Sequence, residues 1–336
     1  FAPVKPGDEN FLIQLMEGVE DIPGTALHEG IDWDWETFPE FLDAIERKEF
    51  VMDLGFMIGH GPVRSYVMGY DRCQNQVDAS KDEINQMSEI VEKAINAGAL
   101  GFSTSRTILH RDIHGVYVPG TEASSEEMKE LAFAVDRAGE GTLEIVSDWL
   151  DQEIEMSWMK EYVEKSDCGL TVLQTNGDSV KTILYCEEQF LKGKNVRPQF
   201  PGRNVGLMFG LESSLHPFIG HPSYKEISHF PLDERLTIMR DPAFKQKILN
   251  ESPSFREDLQ KAAKEQKSNK SIEEIKAEAE MGKKLISNYE TQFILSDPPN
   301  YEPTREDSIA YLAEQRNQTE EEVIYDELIK DDGKSL

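Results

Sequence analysis

Small hydroxyl side chains and an arginine stand together where a buried segment of the chain ends. Ala99–Phe102 is apolar and predicts a strand, and Ser103, Ser105 and Arg106 come after it. These groups can hold the carbonyl or carboxylate of a small substrate, because a guanidinium fork matches a carboxylate in geometry and charge. We predict that all three bind substrate, although a serine such as Ser103 is equally typical of a turn.

Three further polar residues stand just past other predicted strands: His60, Asp148 and Asn176. We predict that His60 and Asp148 are catalytic polar groups, since imidazole and carboxylate groups can move protons, and that Asn176 binds substrate. Each catalytic prediction has a structural alternative. His60 could bond a backbone carbonyl at the end of its strand, and Asp148 could cap the helix that follows.

Metal ligands are harder to find in this sequence. It contains no H-x-H, H-E-x-x-H, P-loop or G-x-S-x-G motif. His216 and His221 lie five residues apart in a loop rich in Pro and Gly, which is not a helical ligand spacing. Loop packing is the favoured interpretation of this pair, with metal binding as the alternative, and we predict no metal ligand within the chain.

Strands and helices alternate about five times between residues 51 and 201, which favours parallel strands with crossover helices. Ser80 and Glu83 form a capping box for one of these helices, and Ser124 or Ser125 begins another. Five units are too few to close an eight-stranded barrel. Either the sheet is open and doubly wound, or the other strands of a barrel lie elsewhere. The predicted strands are Val51–Gly59, Ala99–Phe102, Thr142–Ser147, Leu170–Gln174 and Val196–Phe200.

Residues 202–305 break the alternation. The segment starts irregularly and continues as a charged helical region, in which Lys261–Lys284 mixes Lys and Glu in the manner of a solvated helix. We therefore predict an α/β fold with one incomplete barrel domain over residues 1–336. Residues 202–305 form an irregular and helical insertion within it.

The charge of the chain excludes several partner classes. Its 64 acidic and 35 basic residues give a formal net charge of −29. Nucleic acids and anionic membranes both need a basic face, so neither is an expected partner. Three cysteines form no C-x-x-C pair, and no apolar run reaches the roughly 18 residues that a spanning helix needs. We expect a cytoplasmic protein that acts on a small molecule, while the oligomeric state stays open.

Several blocks of the sequence resemble one enzyme family, the N-acyl-D-amino-acid deacylase (D-aminoacylase-like) branch of amidohydrolase family 3. The similarity runs along most of the chain and is weakest in residues 251–290. The blocks that carry it are Phe1-Ala-Pro-Val-Lys-Pro-Gly7, Glu17-Gly-Val-Glu-Asp-Ile-Pro-Gly24, Gly59-His-Gly-Pro-Val-Arg64, Gly98-Ala-Leu-Gly-Phe-Ser-Thr-Ser105 and Ser214-Leu-His-Pro-Phe218.

The resemblance implies a metal-dependent (βα)₈ barrel in which zinc activates a water and an aspartate handles the proton. It places the H-x-H pair and a cysteine ligand upstream of Phe1, and the catalytic aspartate beyond Leu336. It also implies histidine ligands on middle strands, where this chain has Ile145-Val-Ser-Asp148 and Leu173-Gln-Thr-Asn176 instead. The expectation is an internal slice of the enzyme that is inactive alone.

Two functions therefore stand at this stage. The favoured one is hydrolysis of the acyl C–N bond of N-acyl-D-amino acids or related amides, with zinc or another divalent metal in the full-length enzyme. The alternative is a non-catalytic small-molecule binding protein on a degenerate barrel. An unrelated open-sheet enzyme fits poorly, because the glycine-rich phosphate loop expected at a first βα turn is missing.

Overall fold

The computed structural model describes residues 1–20, 22–174, 180–202, 206–213, 215–254 and 272–336. The described residues form two compact units, one within residues 1–205 and the other within 206–336. The domain prediction, with an insertion at 202–305 inside one incomplete barrel, stays a prediction. Among the described residues, no helix has the length and apolar character that crossing a membrane requires.

Five parallel strands form the sheet of the first unit, and each pairs with the next strand along the chain. Register fixes which residues are neighbours at its carboxyl edge. Ser105 pairs with Val146, and Arg106 with Ser147. The strands are β1 (Ile58–Gly59), β2 (Gly101–Arg106), β3 (Thr142–Ser147), β4 (Gly169–Leu173) and β5 (Val196–Gln199).

The strand order β1-β2-β3-β4-β5 always steps in the same direction. Because parallel crossovers are right-handed, this order places every connecting helix on the same face of the sheet. A doubly wound sheet needs a reversal of strand order, and the five described strands have none. The unit is therefore a singly wound α/β sheet, and the doubly wound alternative does not fit it.

Side chains alternate along these strands between two different environments. We call the first the helix face, since its strand residues pack with the helices in one apolar core. We call the second the open face, since its residues are only half-buried. The helix face carries Ile58, Phe102, Thr104, Leu143, Ile145, Leu170, Val172 and Val196. The open face carries Ser103, Ser105, Glu144, Val146, Thr171 and Leu173.

Helix ends in this unit follow local capping rules. Ser80 accepts a hydrogen bond from the backbone N–H of Glu83, which returns the bond in the predicted capping box. Gly139 ends a later helix at φ +80°, a left-handed conformation that favours glycine. Helices after β1 are α4 (His60–Met68), α5 (Tyr70–Gln74), α6 (Lys81–Asn96), α7 (Ser125–Ala138), α8 (Gln152–Lys165) and α9 (Val180–Leu191).

Three short helices precede the sheet: α1 (Glu9–Glu20), α2 (Gly24–Gly30) and α3 (Phe38–Glu46). The indole of Trp35 packs edge-on against Phe41 at 5.2 Å between ring centroids. Phe38 and Phe41 are buried in the same core as the strands. The aromatic residues thus anchor this segment to the helix-covered side of the unit.

The sequence places the first strand wrongly. Residues Val51–Gly59 were predicted as strand, whereas β1 is confined to Ile58–Gly59. Val51 is fully exposed and Met52 is 68% exposed, so their apolar character reflects no burial. The second strand was predicted at Ala99–Phe102, whereas β2 begins at Gly101 and ends at Arg106. It therefore contains Ser103, Ser105 and Arg106, which were predicted to follow it.

The second unit is helical and has its own apolar core. Phe218, Tyr224 and Tyr325 are buried in it, and the Tyr325 hydroxyl donates to the Met239 carbonyl oxygen at 2.7 Å. Its α-helices are α10 (Pro222–Ile227), α11 (Leu232–Met239), α12 (Pro242–Leu249), α13 (Ile272–Ser287), α14 (Ile309–Arg316) and α15 (Glu320–Leu328). Short 3₁₀ helices cover Tyr289–Thr291, Arg305–Asp307 and Asp331–Gly333.

Candidate functional site

The carboxyl edge of the sheet brings two groups of polar side chains to the end of β2. Successive residues of a strand point to opposite faces, so Thr104 and Ser105 belong to different groups. We call the first group the helix-face cluster: His60, Arg64, Thr104 and Glu127. We call the second the open-face cluster: Ser105, His110 and Asp148.

The helix-face cluster starts at α4. His60 and Arg64 are four residues apart in this helix and share one side of it. Both contact the same carboxylate oxygen of Glu127, His60 through Nε2 at 2.9 Å and Arg64 through Nε at 2.8 Å. Thr104 Oγ1 lies 2.9 Å from His60 Nδ1. All four residues are at most 5% exposed.

Charge fixes the proton positions in this cluster. Burial lowers the pKa of His60, so its imidazole is neutral at pH 7. An ionised Glu127 can only accept, so the proton is on Nε2 of His60 and Nδ1 accepts from the Thr104 hydroxyl. Burial by itself would raise the pKa of Glu127, but the hydrogen bonds from His60 and Arg64 and the charge of Arg64 hold it below its usual range. With a neutral imidazole, the Arg64 guanidinium is the charge that keeps this carboxylate ionised.

Close packing seals this cluster. Gly120 approaches the His60 ring so closely that a Cβ atom there would lie 2.5 Å from Nδ1, and its φ of +101° also favours glycine. Among the described residues, Arg64 Nη1 and Glu127 Oε2 have no hydrogen-bond partner. The arrangement braces β1, β2 and α7 at their shared edge, and His60 does not bond a strand-end backbone carbonyl.

Arg106 faces the helix side as well, because it is two residues past Thr104. Its guanidinium contacts both carboxylate oxygens of Glu155 in α8, at 2.6 to 3.0 Å, and donates to the Ala123 carbonyl oxygen at 2.8 Å. The two side chains are 11% and 9% exposed. The Arg106 guanidinium, predicted to bind a substrate carboxylate, thus binds the carboxylate of Glu155 instead.

The open-face cluster lies on the other side of the same strand. Ser105 Oγ is 2.7 Å from Nδ1 of His110, in the loop that follows β2. Ser105 pairs with Val146, so Asp148, two residues further along the β3 side, continues the same face. All three residues of the cluster are half-buried. Ser103 shares this face and pairs with Glu144.

Asp148 fastens the loop after β2. Its Oδ2 accepts from the backbone N–H of Ile108 at 2.7 Å. The helix that follows is capped by Asp151, which accepts from the N–H of Ile154 at 3.0 Å, and not by Asp148. Burial raises the pKa of Asp148, and the hydrogen bonds from Thr107 and Ile108 offset part of this effect.

The structure thus separates the predicted site residues. Ser103, Ser105 and Asp148 lie on the open face, whereas His60 and Arg106 are engaged on the helix side. Asn176 lies outside the described residues. The geometry adds Thr104, His110, Glu127 and Glu155, which the sequence analysis did not select. The i, i+4 spacing of His60 and Arg64 could have indicated a shared buried acceptor.

The donor side chains of the described residues bear directly on the metal that the resemblance implies. They contain no group of three or more His, Cys, Asp or Glu side chains arranged to hold an ion. His216 is buried, and its Nδ1 accepts from the backbone N–H of Phe218 at 3.2 Å, as loop packing predicts. The donor set implied by the family resemblance is therefore not assembled in this part of the molecule.

Comparison with known proteins gives distant relatives. No protein-family model matches the chain. Over 120 residues, the chain is 30% identical to the D-aminoacylase of Alcaligenes xylosoxydans xylosoxydans. The aligned segment covers 36% of this chain and 22% of that protein. Over 70 residues, it is 30% identical to an uncharacterized protein of Mycobacterium tuberculosis strain H37Rv. This aligned segment covers 20% of this chain and 12% of that protein.

A solved structure is also similar in part. It is the crystal structure of N-acyl-D-glutamate deacylase from Bordetella bronchiseptica, complexed with zinc and a phosphonate inhibitor. The TM-score is 0.39 at 19% identity, covering 49% of this chain and 34% of that one. The chain therefore spans only a small part of the length of the relatives that it matches, and weak homology to a D-aminoacylase is the functional link they provide.

Proposed function

We propose that this chain is part of an amidohydrolase that cleaves the acyl C–N bond of N-acyl-D-amino acids or related amides. The observation that carries the proposal is the 120-residue similarity to a D-aminoacylase. The singly wound sheet supports it, because a (βα) barrel repeats the same parallel, same-handed step. We accordingly propose that the five strands are part of an amidohydrolase-type barrel.

The open face is where we propose that substrate binds. Active sites of barrel enzymes lie at the carboxyl ends of the strands, and the half-buried hydroxyls of Ser103 and Ser105 reach that edge. The Ser103 hydroxyl can donate to the oxygen of an acyl group or a carboxylate, and the Ser105 oxygen can accept from an N–H group of the same substrate. Asp148 is the proposed proton-transfer group, since the raised pKa that burial gives it suits that role.

His60 and Arg106 have a different place in this proposal. Both engage protein carboxylates on the helix side, so neither offers a free group to substrate. We propose that they are positioning residues: His60 holds the start of α4 against Thr104, and Arg106 ties β2 to α8. The described residues assemble no donor set for the zinc that the resemblance implies.

The first test is substrate binding by the 336-residue chain. Calorimetric titration would compare N-acetyl-D-glutamate and N-acetyl-D-leucine with their L enantiomers, using wild type, Ser103→Ala and the exposed control Ser287→Ala. We expect saturable binding with a D preference that Ser103→Ala weakens and Ser287→Ala leaves unchanged. Equal binding of both enantiomers, or none, would count against the proposal.

The second test is hydrolysis, assayed with the product of the whole open reading frame that contains these 336 codons. Release of free D-amino acid from the N-acetyl compounds is the expected result. A protein that binds the D compounds but releases no amine over prolonged incubation would instead be the non-catalytic binding protein of the alternative.

A further inference from the structure

A hydroxyl and an imidazole meet at the open end of β2. The Ser105 Oγ to His110 Nδ1 distance of 2.7 Å is that of a short, direct hydrogen bond. Neither side chain is sealed in the core, since both are half-buried. This pairing of a nucleophile with a base within hydrogen-bond reach is the arrangement that activates a serine hydroxyl.

The environment of His110 suits a base. Burial lowers its pKa, while the negative charges of Glu20 and Asp148 that face it raise the pKa and offset part of that effect. The imidazole is therefore neutral at pH 7, and its Nδ1 can accept the Ser105 proton. Asp148 lies on the same face and would stabilise the imidazolium that forms when the proton moves.

Two aliphatic side chains lie in the same loop as His110. Leu109 and Ile113, in the same loop, are 46% and 45% exposed. An exposed aliphatic side chain can pack against a small apolar group and remove it from water. A short acyl chain has that chemistry.

We propose that Ser105 is a nucleophile that accepts short acyl groups from esters or activated amides, with His110 as its general base. His110 takes the proton as Ser105 Oγ bonds to the acyl carbon, and the bond from that carbon to the leaving oxygen or nitrogen breaks. His110 returns the proton to the leaving group. Water then attacks the acyl-serine, giving its proton to His110, and the carboxylic acid leaves as Ser105 Oγ regains a proton.

This chemistry is independent of the proposed amidohydrolase function. It needs no N-acyl-D-amino acid and no metal, so either proposal can fail while the other stands. The competing explanation is that the hydrogen bond only braces the loop after β2. A brace forms no covalent bond to an electrophile, which gives the experiment its readout.

The experiment treats the purified 336-residue chain with a fluorophosphonate probe and locates the adduct by peptide mass spectrometry. We expect one adduct, on Ser105, and none in Ser105→Ala. The exposed control Ser287→Ala should be labelled as wild type is, and a chelator should change nothing. Thermal melts and circular dichroism would verify that each variant is folded.

Two further measurements distinguish a nucleophilic Ser105 from one that only braces the loop after β2. In His110→Ala, labelling should fall at least tenfold and recover partly when imidazole is added to the buffer. In wild type, the labelling rate should rise with pH through a midpoint below 6.5, as His110 loses its proton. Absence of an adduct, an adduct elsewhere, or undiminished labelling in folded His110→Ala would overturn the proposal.

Discussion

The two faces of β2 carry similar residue types in different environments. On the helix face, the hydroxyl of Thr104 meets the ring of His60, and both are sealed at 5% exposure or less. On the open face, one residue further along, the hydroxyl of Ser105 meets the ring of His110, and both are half-buried. The difference shows that strand alternation, not residue type, decides which hydroxyl–imidazole pair is sealed in the core and which stays half-buried.

Removing the carboxylate of Glu127 should produce the largest effect. Glu127→Ala leaves Arg64 as a buried, uncompensated charge, which typically costs about 3–5 kcal/mol of unfolding free energy. Its neighbour Glu126 is 63% exposed and lies 3.9 Å from Lys81, so Glu126→Ala should cost less than about 1 kcal/mol. Urea unfolding would measure both. Equal losses in the two variants would mean that the helix-face cluster is not the brace described.

Arg106 offers the next test of the helix side. Arg106→Lys keeps the charge but loses the bidentate contact with Glu155, so we expect a loss of about 1.5–3 kcal/mol. The control is Arg137→Lys, whose 44% exposed side chain pairs with Glu92 and should lose about 1 kcal/mol or less. A variant of Arg106 that stays fully stable but loses substrate binding would restore the predicted carboxylate clamp.

The sequence predicts local features of this fold well and contacts between elements poorly. The strand Thr142–Ser147 and the capping box at Ser80 follow from residue patterns over a few positions, and both are confirmed. The contact between His60 and Glu127 spans 67 positions of sequence, and no local pattern contains it. Exposed apolar residues such as Val51 mislead for the same reason, since hydropathy does not reveal what covers a side chain.

Ser124 shows why no local pattern marks the helix-face cluster. It accepts from the backbone N–H of Glu127 and so begins α7 as predicted. A glutamate at that position usually turns back to the cap residue, and Glu127 turns into the core instead. No local pattern marks His110, because its contact with Ser105 exists only once the loop folds back on β2.

His60 and His110 should respond differently when the pH is lowered. An unfolded histidine binds a proton as pH falls through about 6.5, while buried neutral His60 does not. The unfolded state then holds more protons, so the contribution of this residue to stability falls as pH falls below about 6.5. Imidazole resonances assigned with His60→Gln and His110→Gln would show His110 titrating below 6.5. They would also show His60 neutral while the chain stays folded. A normal titration of His60 would contradict its burial.

The smallest effect on stability is expected at Ser105. Ser105→Ala removes one neutral, half-buried hydrogen bond, worth about 0.5–1.5 kcal/mol, and water can reach the His110 ring in its place. Thr104→Val, one position earlier, leaves Nδ1 of buried His60 without its donor and should cost about 1–3 kcal/mol. The order of the two losses in chemical denaturation is the informative result. If Ser105→Ala costs more than Thr104→Val, the open-face hydroxyl is a loop brace as firm as the buried one. If Ser105→Ala costs less and also abolishes probe labelling, Thr104 has a structural role and its neighbour Ser105 a chemical one.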